Sequence, residues 1–148
     1  RKITMNNGEG LKLLLNEILT TVAKANNHPE LKPYADSISE KIKLSEKVLK
    51  SLMPHALKGD FQKYLADASV FMEFFSLIIV AWNWLEVASN SQKALNNSDL
   101  KYSKAFYNSK IETMKYFFKY ELPKTLSHSE ILMDPSSVTI KSDEEILI

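Results

Sequence analysis

Apolar residues recur at steps of three and four along most of the chain, with lysines, glutamates and serines between them, the spacing of helices that bury one face. Leu11, Leu14, Leu15, Ile18, Leu19 and Val22 form a first stripe, which starts past Gly8 and Gly10 and ends at Asn26-Asn27-His28-Pro29. A second stripe over Glu30 to Met53 carries Leu31, Ala35, Ile38, Ile42, Ser45, Leu49 and Leu52, the rhythm of a bundle seam. Pro33 is tolerated in the first turn of that helix, whereas Pro54 and Gly59 are expected to end it. Asp60 is the N-cap candidate for the next helix.

The third helix, predicted from Asp60 to Leu95, holds the most apolar stretch, VFMEFFSLIIVAWNWLEVA. Phe61, Tyr64, Leu65, Ala68, Phe71, Met72, Phe75, Ile78, Ile79, Trp82 and Leu85 make one broad face, and Val70, Phe74, Leu77, Ala81, Trp84 and Ala88 a second. Ser69, Glu73, Ser76 and Asn83 leave only a narrow polar strip. A helix apolar around most of its circumference is central to its fold or is covered on a second side from outside. The face Val70, Phe74, Leu77, Ala81 and Trp84 is therefore the candidate packing or interface face.

After Asn96-Asn97-Ser98-Asp99 a fourth helix is predicted to run to Leu122, burying Tyr107, Ile111, Met114, Phe118 and Leu122, with Phe106, Phe117 and Tyr120 widening its stripe. Pro123 ends it, and Ser127 with Glu130 has capping-box spacing for a short extra helix through Met133. The expectation is an all-α, up-down-up-down four-helix bundle over residues 1–133 with an extended or flexible tail at 134–148. In that tail Ser136 to Ile140 is the only strand-like alternation, and the acidic Asp143-Glu144-Glu145 reads as solvated.

Composition removes several chemistries. Without cysteine there are no disulfides, thiolate nucleophiles or iron–sulfur clusters, which suits a reducing, cytoplasmic setting. A formal net charge of +1 gives no reason to expect a nucleic-acid partner. His28, His55 and His128 lie far apart outside any E-x-x-H or H-x-x-x-H pattern, so no metal site is expected and each histidine is read as a surface or loop residue. Ser127-His128-Ser129 is not a nucleophile motif, because sequence neighbours rarely meet in that geometry. The lysines and aromatics from Lys101 to Lys124 resemble a single-strand binding pattern, but the aromatics repeat at core spacing. No transmembrane segment is expected, since the longest unbroken apolar run is Leu77 to Trp82 and a span needs about 20 mostly apolar residues.

Three segments together resemble the C-terminal extension of a subset of FAD-dependent acyl-CoA dehydrogenases, the methylthiopropionyl-CoA dehydrogenase-like group. Arg1-Lys2 and the amphipathic helix after it resemble the end of that family's oxidase-like helical domain. YLADASVFMEFFSLIIVAWNWLEVA resembles the extension's aromatic and aliphatic run ending in W-x-W-L, and FYNSKIETMKYFFKYELP its last long helix. Ser76 stands where glycine is common in the family. The resemblance implies a parent that removes a proton and a hydride from an acyl-CoA thioester, with FAD taking the hydride and a glutamate acting as base in upstream domains. It assigns no catalytic, cofactor-binding or metal residue to this chain. The partners it implies are the upstream dehydrogenase domains, with a homodimer as a further expectation. Arg1, standing where an initiator methionine would, suits a piece of such a longer protein. The rival expectation is a free-standing bundle holding an apolar ligand or partner helix among Phe71, Phe74, Phe75, Trp82 and Trp84.

Overall fold

The computed structural model describes residues 9–59, 61–97 and 100–136, without the side chains of 61 and 63. Asp60, Asp99 and the tail beyond Ser136, including the 136–140 alternation and the acidic triplet, lie outside the described residues. The described elements are helical, with no strand among them: α1 (Glu9–Asn26), a 3-10 turn (Pro29–Leu31), α2 (Lys32–Leu57), α3 (Phe61–Leu65), α4 (Ala68–Leu95), α5 (Lys104–Tyr120) and α6 (Lys124–Met133). The all-α expectation holds.

A few pairings fix how the helices run. Thr21 of α1 meets Trp82 and Glu86 of α4. Tyr34 of α2 sets its ring edge against Phe118 of α5, centroids 5.3 Å apart. Glu73 of α4 lies beside His128 of α6. At the opposite end, Ser51, Leu52 and His55 of α2 converge with Asp67 and with Leu132 and Met133 of α6. Taken with the short connections, these place α2 antiparallel to α1 and α4, and set α5 and α6 one after the other, both antiparallel to α4. The expected extra helix is thus no appendage. The 17 residues of α5 and the 10 of α6 form one broken leg that matches the 28 of α4.

Local chemistry explains each break, and four boundaries differ from expectation. Pro54 does not end α2, because in the last turn it forfeits a single helix hydrogen bond while its carbonyl still accepts from Lys58. The stop comes at Gly59, whose φ of 75° a side-chain-bearing residue adopts only with strain. The predicted third helix is interrupted at Ala66-Asp67, where the chain leaves α3, packed on α2, and turns into α4. α5 starts later than the turn residues suggested, at Ser103, whose hydroxyl caps the helix by accepting from the Phe106 amide. α6 starts earlier than Ser127, directly after Pro123, so the Ser127–Glu130 capping box is not used.

The α5–α6 break is pinned from inside. The amides of Glu121 and Leu122 both donate to the Phe117 carbonyl, Pro123 offers no donor, and Leu122 and Thr125 are buried. The Thr125 hydroxyl donates to the Leu122 carbonyl, so its burial strands no donor.

The core gathers Ile18, Val22 and Ala25 from α1, Leu31, Ala35, Ile38, Ile42 and Val48 from the second leg, Phe74, Ile78, Ala81, Leu85 and Ala88 from α4, and Ile111, Met114, Phe118, Leu122 and Leu132 from the fourth leg. Leu19, Met72, Phe106 and Tyr120, expected on buried stripes, are exposed instead. Lys41 joins the buried face of α2, where desolvation pushes its ammonium below the usual lysine value against the opposing pull of Glu40.

By length and composition α4 is apolar enough to cross a membrane, so counting unbroken runs understated its hydropathy. Its packing supplies another use for that surface, because α1, α2, α5 and α6 all lie against it.

Candidate functional site

The candidate face on α4 does not stand open. Phe74 and Ala81 are fully buried, and Val70, Leu77 and Trp84 are half-buried. The two apolar faces inferred from spacing merge into one arc centred on Phe74, Ile78, Ala81 and Leu85, covered by the domain's own helices. Phe74 and Ala81 thus serve packing within the bundle, and on the flank carrying Glu73 the carboxylate lies 3.4 Å from His128 of α6. The surface α4 turns outward is Ser69, Met72, Ser76, Val80, Asn83 and Val87.

On the other flank of α4 lies a polar chain that spacing did not reveal. The Trp82 indole N–H donates to the Thr21 hydroxyl at 2.7 Å, and that hydroxyl donates to the Glu86 carboxylate, also at 2.7 Å. Lys24 closes the sequence with a 3.2 Å ion pair to Glu86. The Thr21 hydrogen bond, foremost, and Lys24 hold the Glu86 carboxyl below the usual carboxylate value although burial opposes them. The one available signal was Trp82 itself, since a covered indole needs an acceptor. Nothing in the sequence pointed to Thr21 as that acceptor.

The aromatics proposed as a ligand box are engaged as packing. Phe71 and Phe75 stack at 5.9 Å, Phe74 is sealed and Trp82 is committed to Thr21. A cleft of about 70 Å³ lies elsewhere, among Ser51, Leu52, His55, Asp67, Met133 and Asp134. Drug-sized and cofactor ligands take cavities of roughly 300 Å³ or more, so this cleft does not fit a flavin dinucleotide. No step of flavin chemistry is assigned to its residues.

His28 lies in a loop as expected, whereas His55 and His128 sit within helices. His128 is a half-buried residue inside α6, its Nε2 3.4 Å from the Glu73 carboxylate and its buried Nδ1 without a partner. His55 lines the cleft, and His28 precedes the 3-10 turn. Among the described residues no cluster of histidine and carboxylate side chains could hold a metal ion. The Ser129 hydroxyl donates to the Leu126 carbonyl and is not aligned on His128.

The solvent side of α5 carries the largest departure from the sequence reading. Phe106, Tyr116 and Tyr120 are 41%, 60% and 51% exposed, and with Ser109 and Thr113 they form a stripe at alternating three and four residue steps. Tyr102 extends it, its ring 4.8 Å from that of Phe106. The ammonium groups of Lys101, Lys110 and Lys119 rest over the rings of Tyr102, Phe106 and Tyr120 at 5.6, 5.0 and 5.1 Å. The aromatics of this helix therefore divide between a core stripe and a surface stripe.

No curated protein and no solved structure matches the chain. Residues 14–143 match the family model described as acetyl-CoA dehydrogenase C-terminal like. The matched span takes in the helices whose packing gives the W-x-W-L run and the Leu-Pro end their purpose: Trp82 ties α4 to α1, Leu85 fills the core, and Leu122-Pro123 turns α5 into α6. The chain belongs to the acetyl-CoA dehydrogenase C-terminal-like family.

Proposed function

We propose that this chain is a non-catalytic accessory domain of an FAD-dependent acyl-CoA dehydrogenase, of the methylthiopropionyl-CoA dehydrogenase-like subset, that supports the parent fold, its dimer or the acyl entrance. The observation that carries the reading is the family match over residues 14–143, joined to the use its motif residues find in helix packing. In such a parent, the α,β-dehydrogenation of the acyl-CoA thioester and the FAD belong to the preceding domains. This chain supplies a rigid helical body. α4 is read as its core helix and not as a membrane span, because the other long helices lie against its apolar arc. A cytoplasmic setting goes with this reading, supported by the absence of cysteine.

The test is to purify the chain alone and measure flavin absorbance and acyl-CoA-dependent reduction of an artificial electron acceptor. The expected result is a folded helical protein with neither. Bound FAD together with turnover would sink the accessory-domain reading.

A further inference from the structure

We propose that the exposed aromatic stripe of α5 is a docking seam for an acidic amphipathic helix supplied by the dehydrogenase body of the same polypeptide, an inference that rests on the function proposed above. Phe106, Ser109, Thr113, Tyr116 and Tyr120 fall at steps of three and four, the repeat that faces a partner helix along a coiled-coil seam. Over the fourteen steps from Phe106 to Tyr120, at about 1.5 Å each, that seam runs about 21 Å, long enough for about four turns of a partner.

The chemistry of the stripe suits burial. The hydroxyls of Ser109 and Thr113 already donate to backbone carbonyls of α5, those of Phe106 and Ser109, so covering them strands no donor. Tyr116 and Tyr120 stand with ring centroids 4.8 Å apart, a ready pair of aromatic anchors. Their phenolic hydroxyls need acceptors once covered, which carboxylates provide.

Charge selects among occupants. Among the described residues, Lys115 and Lys124 pair with Glu112 and Glu121, whereas Lys101, Lys104, Lys110 and Lys119 have no carboxylate within 4 Å. Three of these four lysines border the stripe with their ammonium groups over its rings. A second copy of this stripe would bring lysine against lysine, which disfavours self-pairing. A helix with apolar residues at heptad spacing and carboxylates on its flanks is complementary on both counts.

The test is carbodiimide crosslinking of the full-length dehydrogenase polypeptide, which joins a lysine to a carboxylate only when the two are in contact, followed by peptide mass spectrometry. The expected links run from Lys101, Lys104, Lys110 or Lys119 to Asp or Glu residues of the preceding domains. In the Y116S/Y120S variant they should fall about tenfold while helicity is kept, as when two aromatic anchors are lost. Links to Asp143, Glu144 or Glu145, links between differently labelled copies, or no links from these lysines would each overturn the proposal. So would binding of a labelled single-stranded oligonucleotide that Y116S/Y120S abolishes. Flavin content and turnover of the same preparation are read separately: an active flavoenzyme without the links defeats the docking seam alone, whereas a polypeptide lacking flavin and turnover defeats the function beneath it.

Discussion

Thr21 is the residue whose role is furthest from its sequence appearance. A threonine within an amphipathic helix reads as a tolerated substitution on a buried stripe, yet its hydroxyl accepts from Trp82 and donates to Glu86. Thr21→Val keeps the shape and removes both functions, leaving an indole N–H unpaired, so it is expected to cost about 1–3 kcal/mol at neutral pH in urea denaturation. The pH dependence follows from Glu86. Its folded pKa lies below its unfolded one, so its contribution is present above the ordinary glutamate range and is lost as pH falls through the folded value. Thr21 is the largest cause of that shift, so the gap between wild type and Thr21→Val should narrow when the comparison is repeated near about pH 3. A gap that widens on acidification would contradict the assignment.

At the scale of elements, periodicity located every long helix but not its limits. Leu31, Ala35, Ile38 and Ile42 fall on the buried side as their spacing requires, because burial of one face is what that spacing encodes. The boundaries were less legible, because a proline signals a lost donor without saying whether the turn can spare it. Pro54 could be spared and Gly59 could not. The expected outcome is that Gly59→Ala lowers stability by about 1 kcal/mol, through its positive φ and not through a clash, since no atom lies within 4 Å of an added Cβ. Gly10→Ala, within α1 and equally free of contacts, should raise stability by about 0.5 kcal/mol. Thermal melts of the two variants check both signs. On α5, spacing alone could not separate two stripes of aromatics on opposite sides of one helix. Tyr107, Ile111, Met114 and Phe118 face the bundle, whereas Phe106, Tyr116 and Tyr120 face solvent. On α4 spacing likewise gave two apolar faces without saying what covers each, and Phe74 and Ala81 of the candidate face are buried by the bundle itself.

At the scale of the whole molecule, the bundle divides into contacts near in sequence and contacts far apart. α4, α5 and α6 follow one another and pack together most extensively, while Thr21 of α1 reaches Trp82 and Glu86 across 61 and 65 residues of sequence. Closing that longer loop costs more entropy, which is offset only when Ile18, Val22 and Ala25 are buried and the polar chain at Thr21 has formed. The Thr21–Trp82–Glu86 junction therefore acts as the latch on a leg that docks late and leaves early. In native-state hydrogen exchange the amides of α1 should open at lower free energy than those of α4, as a separate cooperative unit. Acid that protonates Glu86 should widen the difference, releasing the first leg while the other three still hold the core.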